Sequence, residues 1–201
     1  MAEAMFHVKH EGPLPRLDAA QHRRLARYED LLASRAVPAG MVSLEDLPRL
    51  HERHILDSLR GAAVVTPNDR DAYDIGSGAG LPGIAIAIAR PELRITLVER
   101  RRSRAAFLEL VIDELRLTNA AVVAGRADAL VDRVHLVFAR ALAPAGPAWA
   151  LAEPLLRPAG RLVYFAGEGF RPGTDLPRDV RATLLDPALA ASGPLVIMAR
   201  Q

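Results

Sequence analysis

The sequence predicts an α/β fold, in which helices cover both faces of a mostly parallel sheet and a helical extension precedes it. Beyond the first third of the chain, short apolar segments of strand length alternate with segments of helical periodicity. Three glycines at alternate positions directly follow the first of these strands. Half of the 201 residues are apolar, which suffices for one core. We therefore predict a tail and helical extension over residues 1–68 and one compact α/β unit over residues 69–201.

Two helices are predicted for the extension. Asp18 is a suitable N-cap for a helix that runs to about Ala36, because apolar residues recur at helical spacing behind it. Ser43 opens a second helix, whose first turn is acidic, as the helix dipole favours. This helix ends near Leu59, since Gly61 is expected to break the chain.

Strands and helices alternate in the α/β unit. Five strands are predicted, at Asp71–Ile75, Arg94–Glu99, Ala120–Ala124, Val134–Ala139 and Arg161–Phe165. Helical segments are predicted between them, at Leu81–Arg90, Ser103–Leu115, Ala127–Asp132 and Pro147–Leu156. Pro158–Gly160 is expected to end the last helix, and residues 167–178, rich in glycine and proline, to form a loop. Val180–Leu185 and Pro194–Ala199 are predicted to close the sheet as an antiparallel hairpin at its edge.

The turn after the first strand, Asp74–Gly83, is the most informative segment of the chain. Its sequence is DIGSGAGLPG. Glycines let the main chain turn where side chains would clash, and they let a ligand approach the backbone. Pro82 suits the first position of the following helix, because its φ is fixed near the helical value. Since open α/β sheets bind ligands at the carboxyl ends of their strands, we predict a nucleotide-binding cradle at this turn.

Two cofactors fit this turn. Gly78–Gly83 matches the G-x-G-x-x-G pattern of dinucleotide-binding proteins, and Glu99 ends the next strand about twenty residues on, where a carboxylate can bind ribose hydroxyls. Three features favour S-adenosylmethionine. The carboxylate of Asp74 suits the amino acid end of that cofactor and would repel a pyrophosphate, the alternate glycines give a broader loop, and a helical extension precedes the fold. A nicotinamide-dependent oxidoreductase stays an alternative.

Composition excludes several classes of protein. The chain has no cysteine, which excludes disulfides, cysteine metal sites and thiol catalysis, and we expect no metal. No apolar segment has the length of a membrane span, and residues 1–17 lack the apolar region of a secretory signal. We expect these first residues to be partly disordered or draped over the domain. The expected protein is a cytoplasmic monomer without a membrane partner.

Several motifs together carry a specific resemblance to a known family. They are DIGSGAGLPGI at 74–84, LVERRRSRAAFL at 97–108, GRADAL at 125–130, ARALAP at 139–144, HERHILDSL at 51–59 and the opening MFHVKH at 5–10. The chain resembles the bacterial ribosomal RNA small subunit methyltransferase G family, also called the glucose-inhibited division protein B family. The resemblance implies a Rossmann-like class I S-adenosylmethionine-dependent methyltransferase fold. It also implies N7-methylation of one guanine in 16S rRNA, with 16S rRNA or the small ribosomal subunit as partner.

The resemblance also implies roles for particular residues. Cofactor binding falls to Asp74, Gly76, Gly78, Leu81, Glu99, Ala127, Asp128 and Arg140. The glycines and Leu81 would line the methionine and ribose moieties, and Glu99 would take the ribose hydroxyls. The turn at Ala127 and Asp128 would cradle adenine. Arg140, just beyond an apolar strand, matches the family's cofactor and active-site arginine.

Arg140, His54 and Asp57 are the predicted catalytic residues, in orienting roles. Guanine N7 carries no proton, so no general base is required. His54 and Asp57 are three residues apart and share one face of the predicted helix. Together with Ser58 they could form a polar patch over the cofactor or fix the extension onto the α/β unit, and both interpretations stay open.

RNA binding is predicted for Arg23, Arg24, Arg100, Arg101, Arg102 and Arg104. Four of these arginines follow Glu99 within five positions, at the start of a helix, where the dipole disfavours cations. This indicates that they neutralise phosphates, and the two arginines of the first helix could extend the same surface. Aromatic residues, at 4%, are too few for a base-stacking platform, so we expect folded RNA to be recognised by shape and phosphate.

One departure from the family affects substrate docking. Ala166 stands where the family commonly has a lysine, so the role of that lysine is absent or supplied by an arginine such as Arg171. A methyltransferase for a small molecule or a protein remains an alternative, as does a non-catalytic ribosome-binding protein.

Overall fold

The computed structural model describes residues 6–8, 14–176, 180–185 and 193–201. Its strands form one sheet. They are β1 Phe6–Val8, β2 Asp71–Ile75, β3 Arg94–Glu99, β4 Ala120–Ala124, β5 Val134–Arg140, β6 Leu156–Phe165, β7 Val180–Leu185 and β8 Leu195–Arg200. Their order across the sheet is β1-β7-β8-β6-β5-β2-β3-β4. The strand β8 is antiparallel to β6 and β7, and the other neighbours are parallel. The prediction of a mostly parallel sheet is confirmed.

Helices cover both faces of this sheet. They are α1 Ala19–Leu31, α2 Asp57–Ala63, α3 Gly83–Ala89, α4 Arg102–Leu115, α5 Ala145–Ala152 and the short α6 Pro172–Asp175. Tighter or wider helical turns occur at Leu32–Ala36, Leu44–Arg49, Leu50–Leu56, Ala127–Ala129 and Glu153–Leu155. In the part of the chain that the structure describes, no helix is long and apolar enough to cross a bilayer.

Both predicted caps of the extension are confirmed. The carboxylate of Asp18 accepts the backbone N–H of Gln21, whose side chain accepts the N–H of Asp18 in return, which completes a capping box. The hydroxyl of Ser43 accepts the N–H of Glu45. These two caps set where the helical segments of the extension begin.

Gly61 does not break the chain, contrary to the prediction. It lies inside α2, where a Cβ would stand 2.8 Å from the ring of Phe165 and 2.9 Å from Ile86. The glycine therefore lets α2 pack closely against β6 and α3, and the helix continues to Ala63.

Four other parts of the chain differ from the prediction. Pro82 is the N-cap of α3 and not its first helical residue. Pro158–Gly160 lies within β6, where the register with β5 shifts and Ala159 has a φ of +62°. The predicted loop at 167–178 contains α6, and residues 1–17, which were expected to be partly disordered or draped over the domain, contain β1, which pairs with β7. The predicted tail otherwise falls partly outside the described residues.

Two apolar cores lie on opposite faces of the sheet. One is built from β5 side chains such as Phe138 together with residues of α1 to α4. The other joins Val137 of the same strand to Trp149 of α5. Tyr28 of α1 and Ile84 of α3 belong to one cluster, so the extension packs directly onto the α/β unit.

The order of the strands reverses beside β2. From β2 the chain proceeds to β3 and β4 on one side, whereas β5 and β6 lie on the other side. A crevice opens at such a switch point, outside the carboxyl ends of the two strands. The glycine turn follows β2 and Arg140 ends β5, so both lie at this crevice.

Candidate functional site

A groove with two parts opens at the switch point. The larger part is a cleft of ≈ 790 Å³, bordered by the glycine turn, the extension and the ends of β5 and β6. The smaller part, of ≈ 390 Å³, is bordered by the ends of β3 and β4 and by the turn at 127–129. Gly76, Arg104 and Ala141 border both parts. The two cavities are therefore neighbours on either side of the glycine turn.

The glycine turn has a backbone that requires glycine. Gly76, Gly78 and Gly80 have φ angles of +71°, +59° and +94°. A Cβ at Gly80 would stand 2.6 Å from Ile84 and 2.9 Å from the hydroxyl of Tyr28. The prediction of a tight loop is confirmed, and the loop exposes its backbone to the larger cleft.

The carboxylate of Asp74 lies beneath the loop and does not line the groove. Asp74 is 1% exposed, and its Oδ2 accepts the N–H of Gly83 at 3.1 Å. A Cβ at Gly83 would stand 2.6 Å from the same oxygen. The carboxylate is therefore turned toward Gly83, and its contact with a ligand in the groove, which the sequence suggested, stays a prediction. Asp74 ties the start of α3 to the end of β2.

Burial raises the pKa of Asp74 to about 7, against the smaller opposing effect of its hydrogen-bond donors. A raised pKa means that the folded state binds a proton which the unfolded chain has lost. This contribution to stability is complete at about pH 4 and is lost as the pH rises through 7.

We expect Asp74→Asn to remove this pH dependence. Asparagine keeps an oxygen that can accept from Gly83 without a charge to bury. In melting curves between pH 4 and 8, the melting temperature of the variant relative to the wild type should increase with pH, and the variant should be higher by about 2 °C or more at pH 8. A difference in melting temperature between the two proteins that does not change with pH would contradict the assignment.

Glu99 joins the two strand ends. It is 4% exposed, its Oε2 accepts the N–H of Gly78 at 3.0 Å and its Oε1 accepts the N–H of Arg101 at 2.8 Å. Each carboxylate oxygen has two acceptor sites, so both can still accept from a ligand. Glu99 lines the smaller cavity, and its contact with ribose hydroxyls stays a prediction.

The turn at 127–129 forms the far wall of the smaller cavity. Ala127 and Asp128 both line it. The carboxylate of Asp128 is held by Arg126, through Nε at 3.0 Å and Nη2 at 2.6 Å. Sequence reasoning did not identify this pairing, although Arg126 stands two residues before Asp128.

Arg140 is bound to the extension by several contacts. Its Nη1 donates to the hydroxyl of Ser58 at 3.3 Å, and its Nη2 donates to the carbonyl of Arg53 and to Nδ1 of His54, both at 3.0 Å. Its Nη2 also lies 3.5 Å from Oδ2 of Asp57. The structure therefore brings together the three residues predicted to orient the substrates.

His54 is a neutral acceptor in this arrangement. An arginine only donates, so Nδ1 of His54 accepts and its proton is assigned to Nε2, which lies 3.2 Å from Oδ2 of Asp46. Burial and the charge of Arg140 lower the pKa of His54 below its usual value. Asp46 was not identified from the sequence.

Asp57 lies between two arginines. Its Oδ1 accepts from Nη1 of Arg60 at 2.7 Å, and Arg140 approaches its other oxygen. Arg60 also donates to the carbonyl of Gly193 at 3.0 Å, which ties α2 to the segment before β8. The spacing of Asp57 and Arg60 on one helix face was a signal that could have revealed this pair.

The arginines after Glu99 are not equivalent. Arg100, Arg101 and Arg102 are exposed, whereas Arg104 is half-buried and lines both parts of the groove. The sequence did not distinguish Arg104 from its neighbours, because all of them stand in one run.

The arginines of α1 lie at the other end of α4 from this run, and their role in RNA binding stays a prediction. Nε of Arg24 donates to the carbonyl of Leu115, at the carboxyl end of α4, and Arg23 is its exposed neighbour. The start of α4 at Arg102 is about 20 Å away along the helix.

Arg171, the suggested substitute for the family's lysine, donates to the carbonyl of Phe170.

The chain is similar in sequence to the members of one known family and in fold to several solved structures. The model of the family described as rRNA small subunit methyltransferase G matches residues 21–173. A relative of that name from Streptomyces coelicolor is 41% identical over 71% of this chain and 60% of its own length. One from Mycobacterium leprae is 42% identical over 82% of this chain and 76% of its own length. The chain thus spans about three fifths of the Streptomyces relative.

Solved structures with low sequence identity share the fold. A methyltransferase from Geobacter sulfurreducens superposes with a TM-score of 0.59 at 15% identity, covering 95% of this chain and 94% of that one. Fibrillarin from Aeropyrum pernix, solved with natively bound S-adenosyl-L-methionine, gives 0.50 at 20% identity, covering 71% and 73%. The Rossmann-like methyltransferase fold expected from the sequence is confirmed.

Proposed function

Because this chain belongs to the rRNA small subunit methyltransferase G family, we propose that it transfers a methyl group from S-adenosylmethionine to N7 of a guanine in 16S rRNA. One observation carries the proposal: Glu99, the glycine turn and Arg140 meet at the switch point of the sheet. The family match favours methyl transfer over the nicotinamide-dependent oxidation that the glycine motif alone left open.

The groove fits the proposed cofactor. The smaller cavity offers Glu99 for the ribose hydroxyls and the turn at 127–129 for adenine. The glycine turn would lie under the methionine moiety, with Leu81 bordering the same cleft. The remainder of the larger cleft, toward Ala166, is left for the acceptor base.

The chemistry asks the protein mainly for alignment. The bound cofactor supplies an activated methyl group on a sulfonium. Guanine N7 presents an unprotonated lone pair, so a neutral His54 is compatible with the reaction. Holding N7, the methyl carbon and the sulfur in line can be worth about 7–11 kcal/mol at best. We assign this orienting role to Arg140, since it fixes the extension to the end of β5 over the cleft.

The charges around the larger cleft suit a cationic product. Methylation leaves a positive charge on the guanine ring. Asp46 and Asp57 line the cleft and are paired with arginines, whereas Glu168 borders it and has no ion-pair partner among the residues that the structure describes. We propose that these carboxylates offset the developing ring charge.

RNA binding is assigned to the exposed arginines at the start of α4. Arg100 and Arg101 border the smaller cavity, Arg102 follows them, and all three are exposed, so phosphates can reach them. The proposed partner is 16S rRNA or the small ribosomal subunit, and the proposed location is the cytoplasm, where that RNA is assembled into particles. We keep a monomer as the proposed state.

Methyl transfer can be tested directly. The protein is incubated with S-adenosylmethionine labelled in its methyl group and with naked 16S rRNA, small subunits or 23S rRNA as a control. The RNA is then digested to nucleosides and separated. We expect label in N7-methylguanosine from 16S rRNA or from small subunits only. Absence of label from both substrates would remove the proposal.

Tyr28 is a further residue on which the cradle depends. Its side chain comes from α1, is fully buried, and donates its hydroxyl to the carbonyl of Ala79 at 2.8 Å. Tyr28→Phe should leave that buried carbonyl unpaired and weaken S-adenosylmethionine binding by up to about tenfold. Calorimetric titration measures the affinity. Tyr73→Phe, a buried tyrosine of β2 outside the groove, is the matched control and should bind normally.

A further inference from the structure

Most charged side chains of the larger cleft are paired with one another. The ionisable residues that line this cleft are Asp46, Arg53, His54, Asp57, Arg104, Arg140 and Glu168. Arg53 and His54 approach Asp46, and Arg140 approaches Asp57. Among the residues that the structure describes, Arg104 is the cation of this cleft whose guanidinium has no protein partner.

Arg104 stands where the two parts of the groove meet. Its Nη1 would lie 3.9 Å from a Cβ placed on Gly78, the middle glycine of the turn. It borders both cavities, whereas Arg102 borders neither and is exposed. A phosphate of folded RNA reaches an exposed rim more readily than this inner position.

The position of Arg104 has a cost that an anion would offset. A half-buried guanidinium without a partner loses hydration, and the start of a helix disfavours a cation. Its planar fork matches a carboxylate, with two parallel hydrogen bonds. The proposed methyl donor carries one carboxylate, at the end of its methionine moiety.

We propose that Arg104 binds the α-carboxylate of the methyl donor and is the residue by which this groove selects ligands with an intact amino acid end. The proposal rests on the proposed function. It separates Arg104 from the RNA-binding arginines with which the sequence grouped it.

The test compares two ligands that differ at this end. S-adenosylhomocysteine carries the amino acid, whereas 5′-methylthioadenosine keeps the adenosine and the sulfur without it. Both are titrated by calorimetry into the wild type, Arg104→Gln and the control Arg102→Gln. Arg104→Gln should weaken S-adenosylhomocysteine by about tenfold or more and change 5′-methylthioadenosine by less than about twofold. Arg102→Gln should change neither.

Each other outcome has a distinct meaning. An equal loss for both ligands would overturn the proposal and give Arg104 a structural role. Unchanged binding of both ligands, with weaker and less salt-dependent RNA binding, would overturn it in favour of phosphate. If Arg104→Gln does not fold, Arg104→Lys takes its place and must lower the affinity for S-adenosylhomocysteine relative to that for 5′-methylthioadenosine. A wild type that binds neither ligand would overturn the proposed function itself.

Discussion

Arg140→Ala is expected to lower methyl transfer by about two orders of magnitude while the protein stays folded. The guanidinium donates hydrogen bonds to three residues of the extension, lies 3.5 Å from the carboxylate of a fourth, and thereby fixes its position over the cleft. Without it, the wall of the cleft can shift relative to the glycine turn, and a misplacement of about 1 Å can cost about 100-fold in rate. The measurement is transfer of labelled methyl groups to small subunits or to 16S rRNA.

Two control variants separate orientation from general damage. Arg133→Ala removes an exposed arginine just before β5, at the amino end of that strand and away from the cleft, and should keep full activity. Arg140→Lys keeps the charge without the planar fork, and its methyl-transfer activity should lie between those of Arg140→Ala and the wild type. Melting curves show whether each variant is folded. We expect all of them to fold, because Asp57 keeps Arg60 as a partner when Arg140 is replaced. Turnover at the wild-type rate in Arg140→Ala would refute the role.

Local sequence patterns were sufficient where the structure is local. The strands β2, β3 and β4 begin and end at the predicted residues, because each is a short apolar run with turn or charged residues at its ends. The capping box at Asp18 is equally local. By contrast, β6 begins earlier than predicted, since Pro158–Gly160 resembles a turn and is accommodated by a register shift against β5.

Residues that depend on distant contacts were missed. Nothing near Tyr28 in the sequence indicates that its hydroxyl reaches Ala79, 51 positions away. Gly61 resembled a helix breaker because the residue that explains it is far along the chain: the ring of Phe165 lies where a Cβ at Gly61 would stand. The same holds for Asp74, whose residue type suggested a ligand but whose carboxylate is turned toward Gly83. The domain boundary near residue 68 stays a prediction.

Glu99→Ala should abolish detectable binding of S-adenosylhomocysteine. Its carboxylate fixes Gly78 and Arg101 through their N–H groups and is the proposed partner of the ribose hydroxyls. Hydrogen bonds to a charged group are worth about 1.5–3 kcal/mol each, so the loss of two or more corresponds to at least about 100-fold in affinity. Glu109→Ala, at an exposed position of α4, should bind normally.

Glutamine is not a conservative substitute for Glu99. Two backbone N–H groups approach the two carboxylate oxygens, so Glu99→Gln must present its NH₂ group to one of these donors. We therefore expect this variant to lose most of the affinity too, whereas a residue that only supplied bulk would tolerate the change. The loss should be equal for S-adenosylhomocysteine and 5′-methylthioadenosine, because both carry the ribose. A loss confined to S-adenosylhomocysteine would contradict the assignment, since that pattern belongs to Arg104 at the other end of the ligand.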